Sequence, residues 1–171
     1  LTWFQTLSST WIAIAFTVLV GGLGGVLTDV SAWYKALRVP SWKPPDWAFG
    51  PGWTVILSLA CVSAIHGWDA LEPGARRDTM VGLFLANGAL NAFWSLLFFK
   101  LRRPDWALIE VPFLWLSVVA LIILLAPVSG TAAWCMVPYA VWVLFASALN
   151  RAIVRLNGPF SPAGASIRQN P

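Results

Sequence analysis

This chain of 171 residues is 58% hydrophobic and only 11% charged, against about 25% charged residues in soluble domains, which excludes an ordinary water-soluble globule. A mean hydropathy of +0.73 and long uncharged runs point instead to a polytopic membrane protein. The net charge of +4 lies mostly in short connections between apolar runs, so it reads as a topology signal and not as a nucleic-acid surface.

The first apolar run predicts a membrane-spanning helix over about residues 6–27. It lacks the basic leader of a signal peptide and is read as a retained span. Gly21, Gly22, Gly24 and Gly25 crowd it, and the Gly21–Gly25 spacing lets helices approach closely, within the bundle or between protomers. A loop over 28–46 follows. Its sequence from Trp33 to Trp53, WYKALRVPSWKPPDWAFGPGW, is rich in indole, proline and basic side chains. Pro40, Pro44, Pro45 and Pro51 are expected to forbid a regular helix before about Trp47, leaving a stiff extended connector lined with indoles.

Further spanning helices are predicted over about 47–67, 79–99, 106–125 and 131–156, with Pro112 and Pro138 inside the last two. The expected fold is an all-α membrane protein, a five-transmembrane-helix bundle in one domain over 1–158. A flexible tail, rich in Pro, Gly and Ser, is expected over 159–171. Lys35, Arg38, Lys43, Lys100, Arg102, Arg103, Arg151, Arg155 and Arg168 fall on one side, nine basic residues against Arg76 and Arg77 on the other. By the positive-inside rule the tryptophan loop and the C-terminus are cytoplasmic and the N-terminus is outside.

Few polar residues lie within the spans. Asn87, Asn91, Trp94 and Phe98 share one face of the third predicted helix, and Tyr139, Trp142, Ala146 and Asn150 one face of the fifth. Amides in hydrocarbon need partners, so both faces are expected to point inward, as interhelical glue or as ligand contacts with equal weight. Depth favours a pocket: Trp53 lies about 9 Å inside the loop end of its helix, and Asn91 and Trp142 about 12 Å inside theirs. The one histidine, His66, lies roughly 20 Å beyond Trp53 and is read as interfacial. Glu110 sits near a helix start, within reach of Arg102 or Arg103. Cys61 and Cys135 suggest neither a disulfide framework nor a metal centre, and no metal site is expected. No hydrolase triad, phosphate-binding loop or zinc motif occurs, and no catalytic residue is firmly indicated.

Three blocks together resemble the TspO/MBR family, the tryptophan-rich sensory proteins related to the mitochondrial translocator protein (peripheral benzodiazepine receptor). They are the Trp33–Trp53 segment, LNAFWSLLFF over 90–99 followed by Trp106-Ala107-Leu108 and Glu110, and VPYAVWVLFASALN over 137–150. The resemblance implies a homodimeric bundle that takes porphyrin or haem as ligand and needs no cofactor. It also implies synthetic isoquinoline and benzodiazepine ligands and, in some members, sterols.

The residues it implicates in binding are Trp33, Tyr34, Trp42, Trp53, Asn91, Trp94, Tyr139, Trp142 and Ala146. Trp53 and Trp142 match the two indoles required for light- and oxygen-dependent porphyrin breakdown in some bacterial members. Arg151 stands where animal members carry a sterol-pattern tyrosine, Ser41 replaces a tryptophan of some bacterial members, and Gly52 reduces bulk beside Trp53.

Physics agrees with a tetrapyrrole: indoles stack on its ring, while Lys35, Arg38 and Lys43 can pair with its propionates at headgroup level. The leading expectation is a sensory, regulatory or transport protein in a bacterial inner (cytoplasmic) membrane. The alternatives are a porphyrin-degrading enzyme and an accessory subunit of a larger pigment or transport complex in the lipid.

Overall fold

The computed structural model describes residues 2–160, with side chains from Ser9 onward; Arg168 and nearly all of the predicted tail lie outside the described residues. Five long helices are present: α1 (Thr2–Leu27), α3 (Phe49–Ala70), α4 (Ala75–Ser95), α5 (Pro104–Leu125) and α6 (Gly130–Asn157). Each contains a stretch long and apolar enough to cross a bilayer, and no strand occurs among the described residues. The chain is an all-α integral membrane protein with five candidate spans.

Local chemistry sets the helix ends. Pro104 opens α5, where a missing N–H costs nothing. Ser129 caps α6 by accepting from the Ala132 N–H at 3.2 Å. Arg77 closes the far end of α3, donating to the Trp68 carbonyl at 3.0 Å and to that of Leu71, with its guanidinium 4.4 Å over the Trp68 ring.

The loop after α1 departs from the extended connector expected of it. Ala32–Ala36 forms a single helical turn, α2, because the nearest proline, Pro40, follows that turn and leaves its N–H groups free to bond. A 3₁₀ turn over Asp46–Ala48 then leads into α3. Pro51 lies in the first turn of α3, where proline is tolerated.

α6 packs against α5 and α3, α5 also against α4, and α1 lies across α3 and α4. Val118, Leu121 and Leu125 of α5 meet Met136, Tyr139 and Val143 of α6 in the buried centre. Large apolar residues such as Ile12, Val55, Leu85, Ile109 and Val141 remain exposed on the outside of all five helices, the surface that hydrocarbon would cover. Between such helices, close packing and polar contacts supply the cohesion that the hydrophobic effect does not. Ser63 of α3 donates to the Ala132 carbonyl of α6 at 2.7 Å, and Asn87 of α4 donates to Ser117 Oγ of α5 at 2.8 Å.

Candidate functional site

α4 does not end as an α-helix. Residues Leu96–Lys100 wind into a π-helical turn, closed by the Leu101 N–H on the Leu96 carbonyl at 2.9 Å. Such wide turns recur at functional sites because they re-aim side chains. Here the turn gathers rings: Phe98 stacks on Trp94 at 5.2 Å and lies 4.8 Å from Phe99. All three border a cavity of about 490 Å³ beneath the loop. That volume falls within the range of about 300–1,000 Å³ typical of small-molecule sites.

The cavity wall comes from α1, α2, α3, α4 with its π-helical turn, and α6, but not from α5. Trp53 and Trp142 pack edge to face side by side in its wall, with centroids 6.1 Å apart. Gly52 makes that arrangement fit: a Cβ there would lie 2.6 Å from the Trp142 ring. On α1, Gly24 and Gly25 line the cavity, and a Cβ on either would meet nothing within 4 Å. Gly21 does approach α3, with Leu57 3.2 Å from its Cβ position. The small residues of α1 therefore make space as well as helix contact.

Tyr34, Trp53, Asn91, Trp94, Trp142 and Ala146 all line the cavity. Trp53, Asn91 and Trp142, placed by sequence at one depth, share this wall. Tyr139 does not border it directly. Its ring lies 6.0 Å from Trp53, its hydroxyl accepts from Asn91 Nδ2 at 3.0 Å, and it borders a second, apolar cavity of about 350 Å³ between α1, α3 and α4. The phenol thus forms part of the partition between the two voids.

Trp33 and Trp42 stand behind the wall. Trp33 packs edge-on to Phe98 at 6.4 Å beneath the Arg102 guanidinium, and Trp42 packs on Phe145, which in turn touches Trp142. Asn150 lines the cavity with part of its side chain. With its amide oriented to match its neighbours, it donates to the Pro104 carbonyl at 3.0 Å and accepts from the Leu108 N–H at 3.2 Å, tying α6 to the start of α5.

The basic residues of the loop differ from one another. Lys35 and Arg38 are exposed and off the cavity wall, and the Arg38 backbone is clasped on both sides by the Asn157 amide at 2.8 Å. Lys43 turns inward. Its ammonium pairs with Asp46 and sits 5.7 Å from the Tyr34 ring centroid and 5.8 Å from that of Phe49. The Tyr34 hydroxyl donates to the same Asp46 carboxylate at 3.0 Å. Burial, then this bond to a carboxylate, pushes the phenol well above its usual ionisation range, so Tyr34 acts as a donor.

Sequence reasoning did not anticipate Asp46, Phe99, Thr54 or Leu149 on the wall. The i, i+3 spacing of Lys43 and Asp46 was the available signal for their pair, but the prolines between them masked it. His66 is exposed and borders neither cavity. No cluster of metal-ligating side chains occurs among the described residues. Glu110 does not take the arginine partner suggested for it: Arg103 pairs with Asp105, and both Glu110 carboxylate oxygens are buried without a hydrogen-bond partner. The short Arg103–Asp105 pair, at the very start of α5, captures the guanidinium before it can reach a further turn along.

Comparison with known proteins agrees with this architecture. The chain matches the TspO/MBR family model over residues 13–156. It is 37% identical over 152 residues to tryptophan-rich protein TspO of Chlorobaculum tepidum, covering 85% of this chain and 94% of that protein. It is 32% identical to protein CrtK of Rhodobacter capsulatus, covering 88% and 95% of the two chains, and 34% identical to the translocator protein of Sus scrofa, covering 86% and 91%. With five apolar helices, the tryptophan loop and a family match spanning nearly the whole bundle, the chain belongs to the TspO/MBR family.

Proposed function

We propose that this protein binds a tetrapyrrole, porphyrin or haem, in the cavity beneath the tryptophan loop, and serves a sensory, regulatory or transport role. The observation that carries the reading is the wall itself: Trp53, Trp94 and Trp142 with Phe98 and Phe99 around about 490 Å³. Flat aromatic ligands gain from such ring edges and faces. Asn91, Ser95 and Thr54 supply a few polar contacts for orientation. No histidine borders the cavity among the described residues, so the ligand is recognised through its ring and edges, with no axial histidine bond to iron.

The protein is proposed to be a homodimer in a bacterial inner membrane, with the loop cytoplasmic. The excess of Lys and Arg beside the loop, the π-helical turn and the C-terminus supports that orientation.

A second reading, light- and oxygen-dependent porphyrin breakdown, is favoured by the adjacent Trp53 and Trp142 indoles. Absorbance of bound porphyrin followed under light in the parent and in Trp53→Phe and Trp142→Phe, each saturated with ligand, separates the two: breakdown by the protein slows in the variants, whereas unassisted photobleaching proceeds equally in all three.

The binding test is a dark titration with protoporphyrin IX read by tryptophan quenching. A dissociation constant on the order of 1 μM is expected, equivalent to about −8 kcal/mol. Trp53→Phe and Trp142→Phe weaken it, whereas Trp68→Phe does not. Equal behaviour of the three variants removes the cavity assignment.

A further inference from the structure

The cavity wall holds one charged residue among the described residues, and it is an acid. Asp46 borders the cavity, while Lys35, Arg38 and Lys43 do not. A ligand carboxylate in this cavity therefore faces a carboxylate, and no cation, on the wall. Taken alone, that would oppose any porphyrin acid.

The partners of Asp46 change the picture. Its carboxylate is held by the Lys43 ammonium and by the Tyr34 hydroxyl, the latter at 3.0 Å. The two members of the ion pair differ in freedom. The Lys43 side chain is 11% exposed and braced between the Tyr34 and Phe49 rings, whereas that of Asp46 is 51% exposed. The ammonium is the more enclosed member, and the carboxylate is the one that can turn into water once another anion takes its place.

Resting on the tetrapyrrole reading, we infer that Lys43 and Tyr34 form the anion anchor of this cavity and that Asp46 is a resident carboxylate which a ligand carboxylate displaces. Asp46 occupies the donors that a propionate needs. In its absence Lys43 would be a nearly buried cation left with only the Pro44 carbonyl, at 3.4 Å, which is costly. In its presence, each incoming carboxylate competes with a tethered one. The arrangement lowers affinity for acids in general and leaves it to ligands whose ring also fills the aromatic wall. The step is an exchange of ion-pair partners and involves no covalent change.

The experiment compares protoporphyrin IX with its dimethyl ester on the parent chain, on Asp46→Asn and on Lys43→Gln, by tryptophan quenching in the dark. The quantity read is the ratio of free-acid to ester affinity within each variant, so that a general loss of fold cancels. Asp46→Asn is expected to raise that ratio roughly two- to fivefold, the range of partly exposed ion pairs. Lys43→Gln is expected to lower it below the parent value. A ratio that is unchanged or lower in Asp46→Asn, or unchanged in Lys43→Gln, overturns the inference while leaving the tetrapyrrole site in place. If the parent binds neither ligand, the tetrapyrrole reading itself falls, and the inference with it.

Discussion

At the loop end of the bundle Gly24 and Gly25 face open space, whereas at the opposite end Gly67 is pressed between Leu125 and Met80, each 2.7 Å from its Cβ position. The indoles diverge in the same way. Trp68 at the far end carries a guanidinium on its face, helps to close α3 and borders only the smaller cavity of about 350 Å³, while Trp53 and Trp142 border the loop-end cavity of about 490 Å³. Gly67 is thus filled in on its side of the bundle, whereas Gly24 and Gly25 leave room in the loop-end cavity. Small residues make room only where the facing helix leaves it: Gly24 and Gly25 meet nothing within 4 Å, whereas Gly52, at the same end, is pressed against the Trp142 ring. The loop-end cavity, at about 490 Å³, is lined by Trp53, Trp94 and Trp142, and the smaller one nearer the far end mainly by aliphatic and aromatic groups.

That contrast breaks most visibly at Gly67. Gly67→Leu overpacks a filled site and is expected to cost about 1–3 kcal/mol, less about 0.8 kcal/mol of helix propensity gained. A clear fall in the thermal unfolding midpoint in detergent checks this, with porphyrin affinity kept below that midpoint. A midpoint equal to that of the parent would mean that the far end is as loose as the loop end.

Asn91 sharpens the comparison because it belongs to both structure and site: it borders the cavity and donates to Tyr139. Asn91→Leu is expected to reduce porphyrin affinity more than stability, since membrane hydrogen bonds average only about 0.6 kcal/mol. If calorimetry or thermal melts show the larger loss in stability, Asn91 belongs with the glue of the far end. The smallest effect is expected at His66. Its ring borders neither cavity, so His66→Ala leaves the absorption spectrum of added haem unchanged, and a shifted Soret band would contradict the placement of the site.

Much of this division was legible in the sequence. Five apolar runs of spanning length announce the bundle, and counting 1.5 Å per residue from the helix ends places Trp53, Asn91 and Trp142 at one level. They do border one cavity. Helical periodicity also put Tyr139 and Asn150 on the inward face of α6, but not their separate employments. Tyr139 lies in the partition between two voids, and Asn150 serves the backbone at the start of α5. Periodicity reports which way a side chain points and is silent on what the neighbouring helix offers it. The π-helical turn was illegible because LLFFK satisfies an α-helical pattern equally well. The roles of the glycines were illegible for a related reason: Gly25 and Gly67 are identical in sequence, and only the facing helices decide whether the missing side chain leaves room or prevents a clash.

The most direct test of the account fills the empty end. Gly25→Leu places an isobutyl group in the space that borders the loop-end cavity, with no atom within 4 Å of its Cβ to resist it. Protoporphyrin IX titrations of this variant and the parent should show at least a tenfold loss of affinity, about 1.4 kcal/mol, with an unfolding midpoint equal to or above that of the parent. Unchanged affinity in a well-folded Gly25→Leu protein would contradict the claim that the tetrapyrrole occupies this cavity.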